Sequence, residues 1–376
     1  MRPSGGGAKI VLSTATLPHA YLKYFRCFED ENLIDLEGLD RGLSIELRDD
    51  VLNVEALNEE IECDKRNIVI VNTVRKAREI YKELKCERKA VVHSLMRRKD
   101  RLGTLGKVEN GGVLIGTQTL EAGLDLDLDA LYTELSPIDS LVQRLGRVGR
   151  RGPGKAVIYS VEKSTPYLKT LTERTKQVLG ADPSALNSWK FVKESVEKVY
   201  SDEVVKEIAE KGERMYAEAL AYLSELSLFS YPPSREVLLR PSHYAILYII
   251  EGPHRDEVTK TELLGGMVKI SYRSYKKSRL KYLLDRIDKI YIVDKEKKDG
   301  ELLVLKPVEG NRKEKLSKDR LRLDELVIFM EDLRGLYDEA GLAVEELGGE
   351  DGDVALGEPE EASKSKRRRS KKSRGR

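Results

Sequence analysis

The stretch 113-VLIGTQTLEAGLDLDLDALYTELSPIDSLVQRLGRVGRRG-152 decides how the rest of the chain folds. Val113 to Thr117 is an apolar, β-branched run that gives way to a polar, glycine-containing turn. A second apolar run, Ala130 to Leu135, leads into a predicted helix, with Ser136 as its N-cap, Pro137 at the first helical position and Asp139 completing a capping-box pattern. Leu141, Leu145 and Val148 then recur at i, i+4, i+7, and so do Gln143, Arg147 and Arg150. At about 100° per residue the two rows fall on nearly opposite faces. One face can pack on a sheet, and the other presents an amide and two guanidiniums outside the lobe. Arginine makes planar, bidentate contacts to phosphate and keeps its charge at any working pH. A solvated basic face is the ordinary alternative. Gly146 and Gly149 argue against it, because each weakens a helix by roughly 1 kcal/mol relative to alanine and so suggests a close approach to a ligand or a neighbouring lobe.

Outward from this stretch, short strands alternate with helices. Ile68–Val71, Ala90–Val92 and Lys155–Ser160 read as buried strands, and Arg75–Leu84 as a helix with Ala77, Ile80, Tyr81 and Leu84 on its apolar face. Such alternation predicts a parallel α/β sheet, in which ligands gather at the carboxyl ends of strands. Asn72, His93, Thr117 and the loop after it all follow predicted strands. Asn72 and Thr73 are also ordinary cap residues, and Arg97, Arg98, Lys99 and Arg101 also read as a solvated patch.

Composition narrows the class. Net charge is only +2 although 35% of residues are charged, so the basic character is local. The three cysteines, Cys27, Cys63 and Cys86, lack metal-ligand or redox spacing and suggest a reducing cytoplasm without disulfides. No apolar run has membrane-spanning length, so no membrane association is expected.

In its order and spacing, TQTLEAGLDLD followed by YTELSPIDSLVQRLGRVGRRG resembles motifs V and VI of superfamily 2 helicases, and more closely the CRISPR-associated helicase of type I systems. The likeness runs from residue 10 to about 160. It implies a RecA-like parallel sheet flanked by helices, the second lobe of a P-loop NTPase motor. Arg147 and Arg150 would then reach the γ-phosphate of ATP, with Gln143 beside them. Gly123 and Asp125 would meet the nucleotide. Asn72, Thr73, His93, Ser94, Arg101, Thr117 and Gln118 would bind the DNA backbone, and Thr14, Ala15 and Thr16 would be the coupling motif that ends a first lobe.

The implied domains are a first-lobe remnant (1–20), a connecting segment (21–66), the second lobe (67–162), an accessory helical and mixed α/β region (163–340) and a disordered acidic-then-basic tail (341–376). Neither GxxxxGK[ST] nor a DEAH-type motif occurs in these residues. ATP and Mg²⁺ would therefore be held mainly by a first lobe in another chain, and this chain alone would not hydrolyse ATP. His19, His93, His243 and His254 form no metal-site dyad in the sequence, so no metal site is expected. Nuclease action would fall to a separate HD-type partner and a CRISPR effector complex. A superfamily 2 helicase outside CRISPR systems and a non-catalytic nucleic-acid-binding module are the alternatives.

In the accessory region, Trp189, Val192, Val196 and Val199 are spaced as core anchors, Tyr231-Pro232-Pro233 marks a boundary, and YAILYII, MVKISY, KIYIVD and LLVLK predict strands. SYRSYKKSRLKYL has the composition of a single-strand binding surface as well as of a plain exposed strand. Leu316–Leu342 predicts an amphipathic helix.

Overall fold

The computed structural model describes residues 11, 13–14, 16–22, 34, 40–121, 127–180, 182–210, 243–272, 279–299, 301–308, 326–345 and 347. Six strands, β1 (Leu43–Val51), β2 (Arg66–Ile70), β3 (Lys89–Val92), β4 (Gly112–Gly116), β5 (Ala130–Glu134) and β6 (Gly154–Ser160), make one sheet in the order β1-β6-β5-β2-β4-β3. Every pairing is parallel. Strands buried on both faces need no polar alternation, and β2 shows why this one reads as a continuous apolar run. Ile68 and Ile70 face one hydrophobic layer, and Val69 and Val71 face the other.

Helices fill both layers. On one side lie α2 (Val54–Glu60) and α3 (Val74–Glu83). On the other are α5 (Ile138–Leu145), α6 (Lys169–Leu179) and α7 (Trp189–Val199). The parallel sheet with helices on both faces is the RecA-like lobe that the sequence predicts. Val192, Val196 and Val199 are its buried anchors, as their spacing implies.

The lobe is larger than the sequence suggests. The expected connecting segment contributes β1, an edge strand registered on β6, and α2. At the other end, α6 and α7 share the core of the sheet rather than founding a separate region.

A second, mixed sheet follows, in the order β8-β11-β10-β12-β7-β9. Its strands are β7 (His243–Ile250), β8 (Glu257–Thr259), β9 (Met267–Tyr272), β10 (Tyr291–Asp299), β11 (Leu302–Pro307) and β12 (Leu326–Phe329). The expected helix over 316–342 is corrected here. Leu326–Phe329 is a strand with all four residues fully buried, held between β10 and β7, and a four-residue apolar run fits such a slot better than an amphipathic face. A further correction concerns the tail, expected to lose structure at 341: β14 (Gly341–Leu342) pairs with β13 (Tyr337–Asp338). Cys63 and Cys86 are disulfide-bonded with Cα atoms 5.7 Å apart, contrary to the reduced state expected from their spacing. Spacing in sequence cannot show that the loop entering β2 meets the loop leaving α3.

Candidate functional site

The turn into α5 is built differently from the predicted cap. Pro137 is the N-cap residue and makes no side-chain cap bond. Ser136 is buried, its hydroxyl beside the Pro137 carbonyl, and Asp139 accepts from the Tyr200 hydroxyl at 2.6 Å instead of closing a capping box. The helix ends at Leu145, so Arg147 and Arg150 lie in the loop beyond it. The two rows nonetheless separate as the periodicity implies. Leu141, Leu145 and Val148 are buried, Gln143 and Arg150 are exposed, and Arg147 is half-buried. One Arg147 Nη2 hydrogen bond goes to the Glu121 carbonyl, and Arg150 Nε donates to the Gly146 carbonyl at 2.9 Å.

Gly149 has a different reason from the one expected. It adopts φ +64°, and a Cβ there would stand 2.5 Å from Leu43 Cδ2. The close approach is to β1 of the same lobe, not to a ligand.

Arg144, between the two rows in sequence, is the arginine the lobe is built on. Arg144 is fully buried, and its five N–H groups meet five acceptors. Nε donates to Glu121 Oε1 at 2.8 Å, and Nη1 to Thr133 Oγ1 and the Glu134 carbonyl, each at 2.9 Å. Nη2 donates to Asn72 Oδ1 at 3.0 Å and to the Tyr167 hydroxyl at 2.8 Å. Glu134 in turn holds the Asn72 backbone N–H at 2.6 Å and pairs with Lys76 at 2.8 Å. Burial pushes the Tyr167 phenol pKa up. This hub ties the carboxyl ends of β2 and β5 to α5. A signal for it existed: Arg144 sits three residues past Leu141 and one before Leu145, on the apolar side of the helical wheel.

The seven residues expected along the DNA backbone divide by burial. Asn72, His93 and Thr117 are buried and engaged within the protein, which corrects their expected direct contact with a strand. Asn72 accepts from Arg144 and donates to the Leu135 carbonyl at 3.0 Å. His93 Nε2 lies 2.7 Å from the Ala340 carbonyl, and burial pushes its pKa down to about 4. Thr117 Oγ1 lies 3.4 Å from Thr119 Oγ1. Ser94 is exposed, and Thr73, Gln118 and Arg101 are half-buried at the ends of β2, β4 and the helix Arg98–Thr104. Thr73 caps α3. Gly123, Asp125 and Ala15 lie outside the described residues, as do most of Lys9–Ser13, Tyr231-Pro232-Pro233 and the Arg273–Ser278 part of the tyrosine–lysine stretch. Thr14 is exposed, and its hydroxyl accepts from the Thr16 N–H at 3.2 Å.

The basic patch is largely committed to the second sheet. Arg97 bridges Asp100 (2.7 Å) and Glu251 (2.8 Å), and Lys99 pairs with Glu251 at 2.5 Å.

A RecA-like sheet carrying this motif order is similar to the second lobe of superfamily 2 helicases. Residues 63–153 match the family model described as the C-terminal part of the CRISPR-associated nuclease/helicase Cas3. The chain is 41% identical over 361 residues to the CRISPR-associated helicase Cas3 of Thermoproteus tenax, covering 92% of this chain and 62% of that protein. It is 28% identical over 257 residues to the CRISPR-associated nuclease/helicase Cas3 of Methanothermobacter thermautotrophicus, covering 57% of this chain and 30% of that protein. A crystal structure of T. fusca Cas3 with AMPPNP superposes with a TM-score of 0.48 at 15% identity, over 78% of this chain and 40% of that one. More particularly, the chain is similar to the C-terminal part of CRISPR-associated helicases of the Cas3 type. It spans under two thirds of the length of each of these relatives.

Proposed function

We propose that this chain is the second motor lobe of an ATP-dependent helicase that translocates on DNA in CRISPR defence, working with a first RecA-like lobe that carries the phosphate loop. The reading rests on one observation: at α5 the apolar row and Arg144 turn inward while Gln143, Arg147 and Arg150 remain on the other side. Arginines so placed can stabilise charge that develops on a γ-phosphoryl group held opposite them, a contribution worth about 10³ to 10⁵ in rate. By the resemblance, Gly123 and Asp125 would meet the same nucleotide. Thr73, Ser94, Gln118 and Arg101 provide the outer DNA contacts, with Asn72, His93 and Thr117 supporting them from beneath. Thr14, Ala15 and Thr16 couple the lobes.

ATP is the substrate. Mg²⁺ would be held mainly by the first lobe, with the phosphate loop. A separate HD-type nuclease and a CRISPR effector complex would be partners of the assembled motor, in the cytoplasm. Among the described residues no helix is long and apolar enough to cross a membrane.

The test is reconstitution. Adding the matching first lobe is expected to produce strand-stimulated ATP hydrolysis, and Arg147→Gln or Arg150→Gln to lower it by about 10³ or more. Appreciable turnover by the pure chain would overturn the need for a first lobe, and full turnover by the variants would overturn the arginines' role.

A further inference from the structure

One further guanidinium belongs to neither motif VI nor the hub. Arg41 stands just before β1, where its backbone N–H donates to the Asn187 carbonyl at 2.9 Å. The Asn187 amide clasps Leu43 on both sides, accepting from its N–H at 2.9 Å and donating to its carbonyl at 2.8 Å. Leu43 in turn packs where a Gly149 side chain would be. The start of β1 is therefore fixed against the loop that carries Arg147 and Arg150.

The consequence is a convergence of charge on Gly146. Arg150 Nε donates to its carbonyl at 2.9 Å, and Arg41 Nη2 lies 3.6 Å from where a Cβ on Gly146 would sit. Among the described residues the Arg41 guanidinium has no hydrogen bond or ion pair. Partial desolvation, and after it the charge of Arg150, push its pKa down. An anion bound beside two guanidiniums relieves their mutual repulsion. Beside them Arg41, Leu43, Val142, Leu145 and Trp189 line a cavity of about 100 Å³. The indole Nε1 of Trp189 is buried and has no hydrogen-bond partner among the described residues.

We infer that Arg41 is a third guanidinium of the nucleotide site, placed by the segment entering β1 to bind the polyphosphate of a nucleoside triphosphate together with Arg150. The inference rests on the proposed function, because it assigns to Arg41 the same phosphate that Arg147 and Arg150 face. A nucleotide fits better than a nucleic acid strand. The pair stands at the C-terminal end of α5, whereas the candidates for strand contact, the exposed Ser94 and the half-buried Gln118, follow the carboxyl ends of β3 and β4.

Trp189 is the only tryptophan in the chain, so its emission reports on this cavity alone. The full chain is titrated with ATP, with inorganic tripolyphosphate and with a single-stranded oligonucleotide. Affinity is read by calorimetry, location by Trp189 fluorescence and folding by the thermal midpoint. ATP and tripolyphosphate are expected to bind saturably with a change in emission. Arg41→Gln should weaken both by about tenfold or more, and Arg41→Lys by less, because it keeps the charge. If Arg41→Gln binds ATP as the wild type does while Arg150→Gln is weakened, this inference falls and the proposed function stands. If Arg41→Gln weakens ATP binding and Arg150→Gln does not, Arg41 stands and the motif VI assignment falls. No saturable ATP binding at millimolar concentrations overturns the role of Arg41. So does loss of oligonucleotide binding alone in Arg41→Gln, which would make the ligand a nucleic acid phosphate.

Discussion

Arg144 and Arg78 are both fully buried, and they do opposite kinds of work. Arg144 holds the helicase lobe to itself, and all its acceptors lie within 72 residues of it. Arg78, on α3, holds the β13–β14 hairpin that follows the second sheet to the lobe, through Asp338, Glu345 and the carbonyls of Ala340 and Gly341, some 260 residues away. Their environments differ as well. Glu121, opposite Arg144, is nearly as buried as its partner, whereas the Asp338 and Glu345 side chains remain 42% and 32% exposed. A buried cation stripped of its partners costs most where the abandoned carboxylate cannot reach water. The hub should therefore be the more brittle of the two and the latch the more forgiving.

The hub gives the largest expected effect. Arg144→Met keeps much of the volume but leaves the buried Glu121 without its cation, at a cost of about 3–5 kcal/mol in unfolding free energy by urea titration. Adding Glu121→Gln should restore part of the loss, since the charge is then gone. A loss under about 1 kcal/mol for Arg144→Met would mean that the five hydrogen bonds contribute far less than their geometry suggests.

The two arginines also differ in how far the sequence revealed them. The lobe's strands are legible because Ile68–Val71, Val113–Ile115 and Ala130–Tyr132 are apolar runs, which strands covered on both faces favour. Arg144 was visible within the motif, yet grouping Gln143, Arg147 and Arg150 as the polar row drew attention to the outward face. Helical angle places Arg144 on the other side. His93 and Asn72 were read at the right strand ends, but their burial depends on Ala340 and Arg144, and proximity of that kind leaves no local pattern. The latch was illegible for the same reason. Nothing near Arg78 announces an acidic partner from the end of the chain, and the segment that supplies it was read as a helix and tail.

Within the lobe, the Cys63–Cys86 bond closes a loop of 23 residues' separation, for which chain entropy gives about 3 kcal/mol of stabilisation. Reduction should lower the lobe's unfolding free energy by that amount while leaving hydrogen-exchange protection around Asp338 and Glu345 intact. Loss of both together would show that lobe and latch are one cooperative unit. His93 lies between the two regions, beneath Ala340. Its pKa falls from 6.5 to about 4 on folding, so the unfolded chain binds the extra proton between those values. Stability is therefore retained above about pH 6.5 and lost as pH falls towards 4, by up to about 3 kcal/mol. His93→Gln should flatten that stretch of the profile, and an unchanged acid slope would remove the histidine from the account.

Arg78→Met is expected to have the smallest effect and to be the most informative about the comparison. The abandoned Asp338 and Glu345 can both turn towards water, and Lys82 already pairs with Glu345 at 2.6 Å. Discounting the pair for that exposure leaves about 2 kcal/mol, most of it from the buried Ala340 and Gly341 carbonyls that lose the Arg78 donor, Ala340 keeping its contact with His93. The loss should be local. Exchange protection should fall over residues 337–345, while the six-stranded sheet keeps its own. If the whole lobe unfolds as readily as it does in Arg144→Met, the hairpin is not an appendage clasped by one side chain. The lobe would then depend on it for its fold, and the distinction between hub and latch would disappear.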